Sequence, residues 1–101
     1  MPVAYVIVES RITDPEQFSK YMAAAPDVAK AFGAEYLVRG GRIEVLEGTW
    51  QPLRMTVLRY PSFDAAKAMY DSPGYVAARK LRAGATAVFN MVLVEGVDAP
   101  V

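Results

Sequence analysis

At 101 residues, with no linker or low-complexity run, the chain is expected to form one domain spanning 1–101. Eleven Lys and Arg balance eleven Asp and Glu, and zero net charge argues against broad electrostatic binding to nucleic acid or an anionic membrane. Neither Cys nor His is present, which excludes disulfides, thiolate nucleophiles and zinc–thiolate sites and removes the commonest general base and metal ligand.

The first ten residues, MPVAYVIVES, lack the basic start and long apolar core of a secretory signal. No run approaches the ~18 apolar residues of a spanning helix, so the expectation is a soluble, cytoplasmic protein. Residues 3–12, VAYVIVESRI, are β-branched and aromatic and predict a strand. In the following TDPEQ, Asp14 suits an N-cap, Pro15 the first helical position and Gln17 a capping box. Phe18, Tyr21, Met22, Ala25, Val28, Ala29 and Phe32 then recur at helical spacing. Pro26 is expected to kink or restart that helix, and Gly33 to end it in a left-handed conformation.

AEYLVR, 34–39, predicts a second strand, and Gly40-Gly41 a two-residue hairpin turn leading into a short strand at RIEVLE, 42–47. A further strand is predicted at 53–60. Ser62 caps a second helix carrying Phe63, Ala66, Met69 and Tyr70; Ser72 and Pro73 restart it. The last strand covers 86–96, and VDAPV is a tail. The order β-α-β-β-α-β, with one extra short strand, is the split βαβ, ferredoxin-like α+β arrangement, an antiparallel sheet with helices on one face.

Both faces of that sheet are apolar in sequence. The first strand alternates Ala4, Val6, Val8 with Val3, Tyr5, Ile7, and the last alternates Val88, Val92, Val94 with Ala87, Phe89, Met91, Leu93. Two helices cover only one face, and a hydrophobic content of 53% is high for so short a chain. The economical cover for the other face is a second copy of the sheet in a twofold homodimer.

ITDPEQFSKY, YLVRGG, EVLEGTWQPLR, YPSFDAAKAMYDSPGYVAARKLR and MVLVEGV resemble, in order and spacing, the uncharacterised family called domain of unknown function 1330. That family is similar to the dimeric α/β-barrel superfamily. The resemblance implies a homodimer whose two sheets enclose a barrel with a cleft inside, and it implies no particular reaction.

Several residues are candidates for chemistry. Glu47, read as ending a strand beside Gly48, is either a base with a raised pKa or an exposed carboxylate paired with Arg54. Trp50, the lone tryptophan, either stacks a planar ligand or fills an interface. Tyr75, Arg79 and Arg82 share one helical stripe, with Ala77 and Leu81 turned inward. Arg79 with Arg54 or Arg39 makes a plausible anion clamp, while Arg82 suits a solvated face. Tyr21 and Tyr75 are possible hydrogen-bond donors to a ligand, or tyrosines that pack the ring and wet the hydroxyl. Glu9 and Arg11 sit at the barrel mouth if their face lines it. Asn90, alone among apolar neighbours, either bonds a residue on the adjacent strand or points into the cleft.

Gly40-Gly41 lacks the spacing and the Lys-Ser/Thr pair of a phosphate loop, and no carboxylate spacing suggests a calcium or magnesium site. No cofactor is expected, and the absence of His counts most against the haem branch of the superfamily. Three readings stay open: a metal-free and haem-free enzyme abstracting a proton from a small, acidic, partly apolar molecule; a small-molecule binding dimer; and a purely structural dimer with a filled barrel. In the first, an isomerase or cofactor-free oxygenase, Glu47 is the base, Arg54 and Arg79 hold a carboxylate, and Tyr75 stabilises an enolate.

Overall fold

The computed structural model describes residues 2–99. The elements follow the order β1 (Ala4–Ile12), α1 (Pro15–Ala31), β2 (Glu35–Arg39), β3 (Arg54–Tyr60), α2 (Phe63–Asp71), α3 (Pro73–Lys80) and β4 (Thr86–Glu95). The four strands form one antiparallel sheet in the order β2-β3-β1-β4, so the fold is the expected ferredoxin-like α+β arrangement. Residues 100 and 101 of the tail lie outside the described residues.

Strict alternation in β1 sends Ala4, Val6, Val8 and Ser10 into the core beneath the helices. The helices answer with Phe18, Ala25 and Ala29 from α1, Ala66 and Met69 from α2, and Tyr75 and Ala78 from α3. The buried pair of α3 is therefore Tyr75 and Ala78, whereas Ala77 and Leu81 are exposed. The stripe is rotated from the expected one because Pro73 and Ser72 fix the helix start and bring Tyr75 under it.

The segment after β2 corrects the sequence reading. Residues 40–53 form no strand, and of the two glycines only Gly40 has a positive φ, +73°. A type I′ turn needs both. The Gly40 amide instead donates to the Met55 carbonyl, extending the β2–β3 ladder by one bond before the chain leaves the sheet. The outer edge of β2 is free in the strand order, but without a second positive φ at Gly41 the tight turn does not form and 42–47 does not fold back along that edge. Leu46 is consequently 84% exposed.

Two further expectations change at α1. Gln17 does not close a capping box: Asp14 accepts from the Gln17 amide at 3.1 Å, but the Gln17 side chain donates to the carbonyls of Leu81 and Ala83 at 3.2 and 2.6 Å, tying α1 to the end of α3. Pro26 does not break the helix, which runs through it. Its missing N–H would have bonded the Met22 carbonyl four residues back. Arg39 fills that vacancy, donating from Nη2 to the Met22 oxygen at 3.0 Å.

The second sheet face carries rows running across β3, β1 and β4: Val57, Ile7 and Val92; Arg59, Tyr5 and Val94; Met55, Glu9 and Asn90. No helix covers these rows, and Val92 and Val94 are 57% and 43% exposed. Two of the carboxylates near this face have hydrogen-bond partners. Arg59 donates to Glu35 at 2.9 Å, and Glu9 accepts from Trp50 Nε1 at 2.9 Å and from Asn90 Nδ2 at 3.2 Å.

Ser72 joins α2 to α3 with one hydroxyl. It donates to the Met69 carbonyl at 2.7 Å and accepts from the Tyr75 amide at 3.2 Å. Ser72→Ala is expected to lower stability by ~1–2 kcal/mol through loss of the cap, read as a lower urea midpoint at unchanged slope. An unchanged midpoint would mean that water replaces both bonds at no cost.

Candidate functional site

A cavity lies between the helices and the inner sheet face, within one chain. Val6, Val8 and Leu58 form its floor, and Phe18, Tyr21 and Ala25 of α1 with Tyr75 of α3 form its roof. Arg39 and Arg54 stand at one end, and the rings of Tyr36 and Tyr60 complete the wall. The free space is about 50 Å³ measured at the centres of water-sized spheres. That admits a few waters or about four non-hydrogen atoms, and anything larger must extend out of the mouth.

Local sequence explains each placement. On β3, period-two alternation puts Arg54, Thr56, Leu58 and Tyr60 on the helix side. On β2, an irregularity between Tyr36 and Val38 resets the alternation, so Tyr36 and Arg39 both reach the inner face. Gly40 makes room for the second cation, because a Cβ there would overlap the Arg54 guanidinium. The Arg39 guanidinium lies 4.9 Å from the Tyr36 ring centroid and is held by the Met22 carbonyl. Neither Arg39 nor Arg54 pairs with an Asp or Glu among the described residues.

The hydroxyls are arranged unequally. Tyr21 and Tyr75 share one hydrogen bond, Oη to Oη, at 2.6 Å, and their rings meet edge to face at 6.2 Å. The Tyr75 hydroxyl also approaches the Met91 sulfur at 3.9 Å, a weak contact. Tyr60, by contrast, is fully buried and its hydroxyl has no partner. Burial pushes the Tyr21 phenol well above its usual pKa; Tyr75 adds to the shift and Arg82 opposes it. Burial likewise raises Tyr60, with Tyr36 and Tyr75 adding to it, and raises Tyr36 against the pull of Arg39. These phenols are therefore protonated donors at neutral pH and poor bases.

Of the residues singled out in the sequence, Tyr21, Tyr75, Arg39 and Arg54 come together around this cavity. The others do not. Glu47 lies in the irregular segment 40–53, exposed, and no ion pair joins it to Arg54 among the described residues. Arg79 stacks 4.5 Å from the centroid of Tyr70 on the outer side of α3, apart from the other two arginines. Trp50 and Asn90 meet on the open sheet face as the two donors to Glu9, across the sheet from the cavity. Of the two options for Asn90, the structure shows the contact on the adjacent strand. Arg82, expected to be solvated, is half-buried, 3.6 Å from the Phe89 ring centroid.

Sequence reasoning overlooked Tyr36, Tyr60, Ser10 and Thr56, which also line the cavity. The signal for two of them was available: Thr56 and Tyr60 share the period-two face of β3 with Arg54.

The Tyr21–Tyr75 bond gives a direct stability test. Tyr75→Phe leaves the half-buried Tyr21 hydroxyl without its partner and is expected to cost ~1–2 kcal/mol in urea denaturation at neutral pH. A cost below about 0.5 kcal/mol, the range of neutral surface changes, would mean that the bond contributes nothing net.

Against known proteins the chain gives three results. No curated protein matches it. Among solved structures it is similar to a protein of unknown function from Rhodopseudomonas palustris, at 18% identity and TM-score 0.75, covering 97% of this chain and 85% of that one. It is also similar to a dimeric ferredoxin-like protein of unknown function from Thermobifida fusca, at 15% identity and TM-score 0.60, with 94% and 92% covered. A third relative in fold, from Caulobacter crescentus, bears the provisional name of antibiotic biosynthesis monooxygenase; it is 19% identical with TM-score 0.59, and 96% and 92% are covered. At these identities the likeness is one of fold. The match that decides the family spans nearly the whole length: residues 3–97 fit the model of the domain of unknown function DUF1330, and the chain belongs to that family.

Proposed function

We propose that the cavity binds a small, partly apolar organic acid. The observation that carries this reading is the pair Arg39 and Arg54, without a carboxylate partner among the described residues, at the end of a largely apolar space lined by tyrosines. The half-buried Arg54 and the exposed Arg39 stand at the mouth, and a guanidinium there can hold a carboxylate bidentately. The apolar floor suits the rest of such a molecule.

A catalytic version has one observation in its favour. The Arg54 guanidinium and the Tyr21–Tyr75 pair border the same space, and donors so placed would stabilise an enolate formed from the bound acid. The base is the weak point, because among the described residues no Asp or Glu lines the cavity, and burial holds the protons on Tyr21, Tyr36 and Tyr60. Binding is thus the better-supported function, with cofactor-free isomerase or oxygenase chemistry second.

We propose further that two copies pack through their open sheet faces. The apolar rows centred on Ile7, Val57, Val92 and Val94 are left uncovered by the helices, and at their margins Arg59 pairs with Glu35 while Glu9 is hydrogen-bonded by Trp50 and Asn90. The Thermobifida fusca relative, described as dimeric, supports a dimer. None of the described helices is long and apolar enough to cross a membrane.

Calorimetric titration with a panel of small carboxylates tests the binding site. Arg54→Ala and Arg39→Ala are expected to weaken binding by ~1.5–3 kcal/mol each, the worth of a hydrogen bond to a charged group. Arg79→Ala should bind like wild type. Equal affinity in all three variants would refute the anion site. Glu47→Gln is expected to keep wild-type affinity, and a loss of turnover at unchanged affinity would establish catalysis with Glu47 as base.

Assembly is tested separately by sedimentation equilibrium at micromolar concentration, where the species should weigh twice the 11.0 kDa chain. Val92→Lys should break it into monomers or cause aggregation. A wild-type monomer would overturn the dimer.

A further inference from the structure

Two unfinished elements of this fold match one another. The first is residues 42–47. Ile43 and Val45 alternate with Arg42 and Glu44 as in a strand, yet 42–47 joins no sheet and makes no backbone hydrogen bond among the described residues. Val45 and Leu46 are 44% and 84% exposed. The Cα radius of gyration is 14.0 Å, against ~13 Å for a compact chain of this length. The second element is the outer edge of β4. This strand ends the sheet on its side and runs ten residues without Lys, Pro or Gly, a long apolar edge of the kind that another strand joins. The Gly96 amide donates to the Val3 carbonyl at 2.8 Å. Alternation from that pair turns the amides of Val94, Val92 and Asn90 to β1, and those of Leu93, Met91 and Phe89 to the free edge. The other edge strand, β2, is short, irregular and charged at both ends.

A groove beside the β4 edge shows what the joining strand needs. Ala66, Lys67, Met69 and Tyr70 of α2 face Met91 and Leu93 of β4 across it, with about 200 Å³ of free space on the measure used above. Its one charge is Lys67. A strand added to β4 places alternate side chains on the helix side, so it must offer apolar residues for the groove and an anion for Lys67. Ile43, Val45 and Glu47 form such a series.

We infer that residues 42–47 of one copy add as a strand to the β4 edge of the other, with Ile43 and Val45 in the groove and Glu47 toward Lys67. This rests on the dimer proposed above and supplies what that contact lacks. Four strands ~4.8 Å apart and ~25 Å long present a flat face of about 500 Å² per copy, short of the ~800 Å² per partner of a standard stable interface. Two exchanged arms add to that area, and main-chain bonds to β4 give them affinity and register. Sheets packed face to face lie ~10 Å apart, within reach of a segment that leaves β2 at Gly40 and returns at Arg54. Trp50 anchors the segment to Glu9 on the open face, the side on which the second copy packs. Met69 and Met91 wall both the groove and the cavity, so each arm closes the outer wall of the other copy's binding site.

Hydrogen exchange, followed residue by residue in wild-type protein at a concentration where sedimentation gives the dimer, tests this. The Leu93 and Met91 amides should exchange at least ~10-fold more slowly than in the same protein diluted to monomers. Val45 is exposed within its own chain, so Val45→Asp leaves the monomer fold intact. That variant should release the protection and weaken the dimer by ~10-fold or more, since it carries a charge into the groove. Protection that survives in Val45→Asp, or persists in the monomer, assigns the edge to another occupant and overturns the inference. So does a wild-type dimer in which both amides exchange freely; the sheet-face contact then stands alone. A wild-type protein that stays monomeric removes the dimer itself and this inference with it.

Discussion

One hydrogen bond holds the roof of the cavity in register: Tyr21 of α1 to Tyr75 of α3, oxygen to oxygen at 2.6 Å. The two helices are separated in sequence by two strands and a third helix, so nothing local fixes their spacing. The bond is supported at the helix ends by Gln17, whose amide reaches the carbonyls of Leu81 and Ala83. These contacts set the height of α1 and α3 above the sheet. That height in turn fixes the cavity, because Phe18 and Tyr75 reach down from those two helices while Val6, Val8 and Leu58 rise from below. A pair of hydroxyls in a low-dielectric interior is a strong tie as long as it stays satisfied, and a costly defect once one member is lost.

Much of this architecture was legible in the residues. Period-two alternation placed β1, β3 and β4 within a residue or two, and the Asp14, Ser62 and Ser72 caps marked all three helix starts. Where the reading failed, a non-local fact decided the outcome. Ile43 and Val45 alternate with charges like a strand, but the Gly40 amide is drawn to the Met55 carbonyl on β3 and Gly41 lacks the positive φ of a tight turn, so the chain leaves the sheet instead of folding back along β2. Gln17 has the spacing of a capping box, yet the carbonyls at the end of α3, more than sixty residues away, capture its side chain. Pro26 has the sequence of a helix break, and only the proximity of Arg39 shows why the helix tolerates it.

The site was legible by half, for the same reason. Arginine and tyrosine are natural suspects, and Arg39, Arg54, Tyr21 and Tyr75 do converge. In sequence Glu47 reads as ending a strand beside a cleft, and Trp50, the lone tryptophan, as stacking a ligand or filling an interface. With no strand at 42–47, Glu47 loses its placement, and Trp50 turns to Glu9 on the far face. In sequence Tyr60 is one more aromatic at a strand end. Its distinction is an unpaired hydroxyl, a property of surroundings and not of sequence.

The proline in α1 has a consequence for recognition. By freeing the Met22 carbonyl, Pro26 gives Arg39 a fixed acceptor from the backbone, so one edge of the guanidinium is clamped before any ligand arrives. A free arginine gives up ~2 kcal/mol of rotamer entropy when it is immobilised on a ligand. Here much of that ordering occurs during folding, and the remaining N–H groups of Arg39 are already oriented. The helix defect and the cation are therefore one unit. A chain with Ala at position 26 would close its own helical ladder, leave the guanidinium without its anchor, and bind the same anion through a looser and entropically costlier hand.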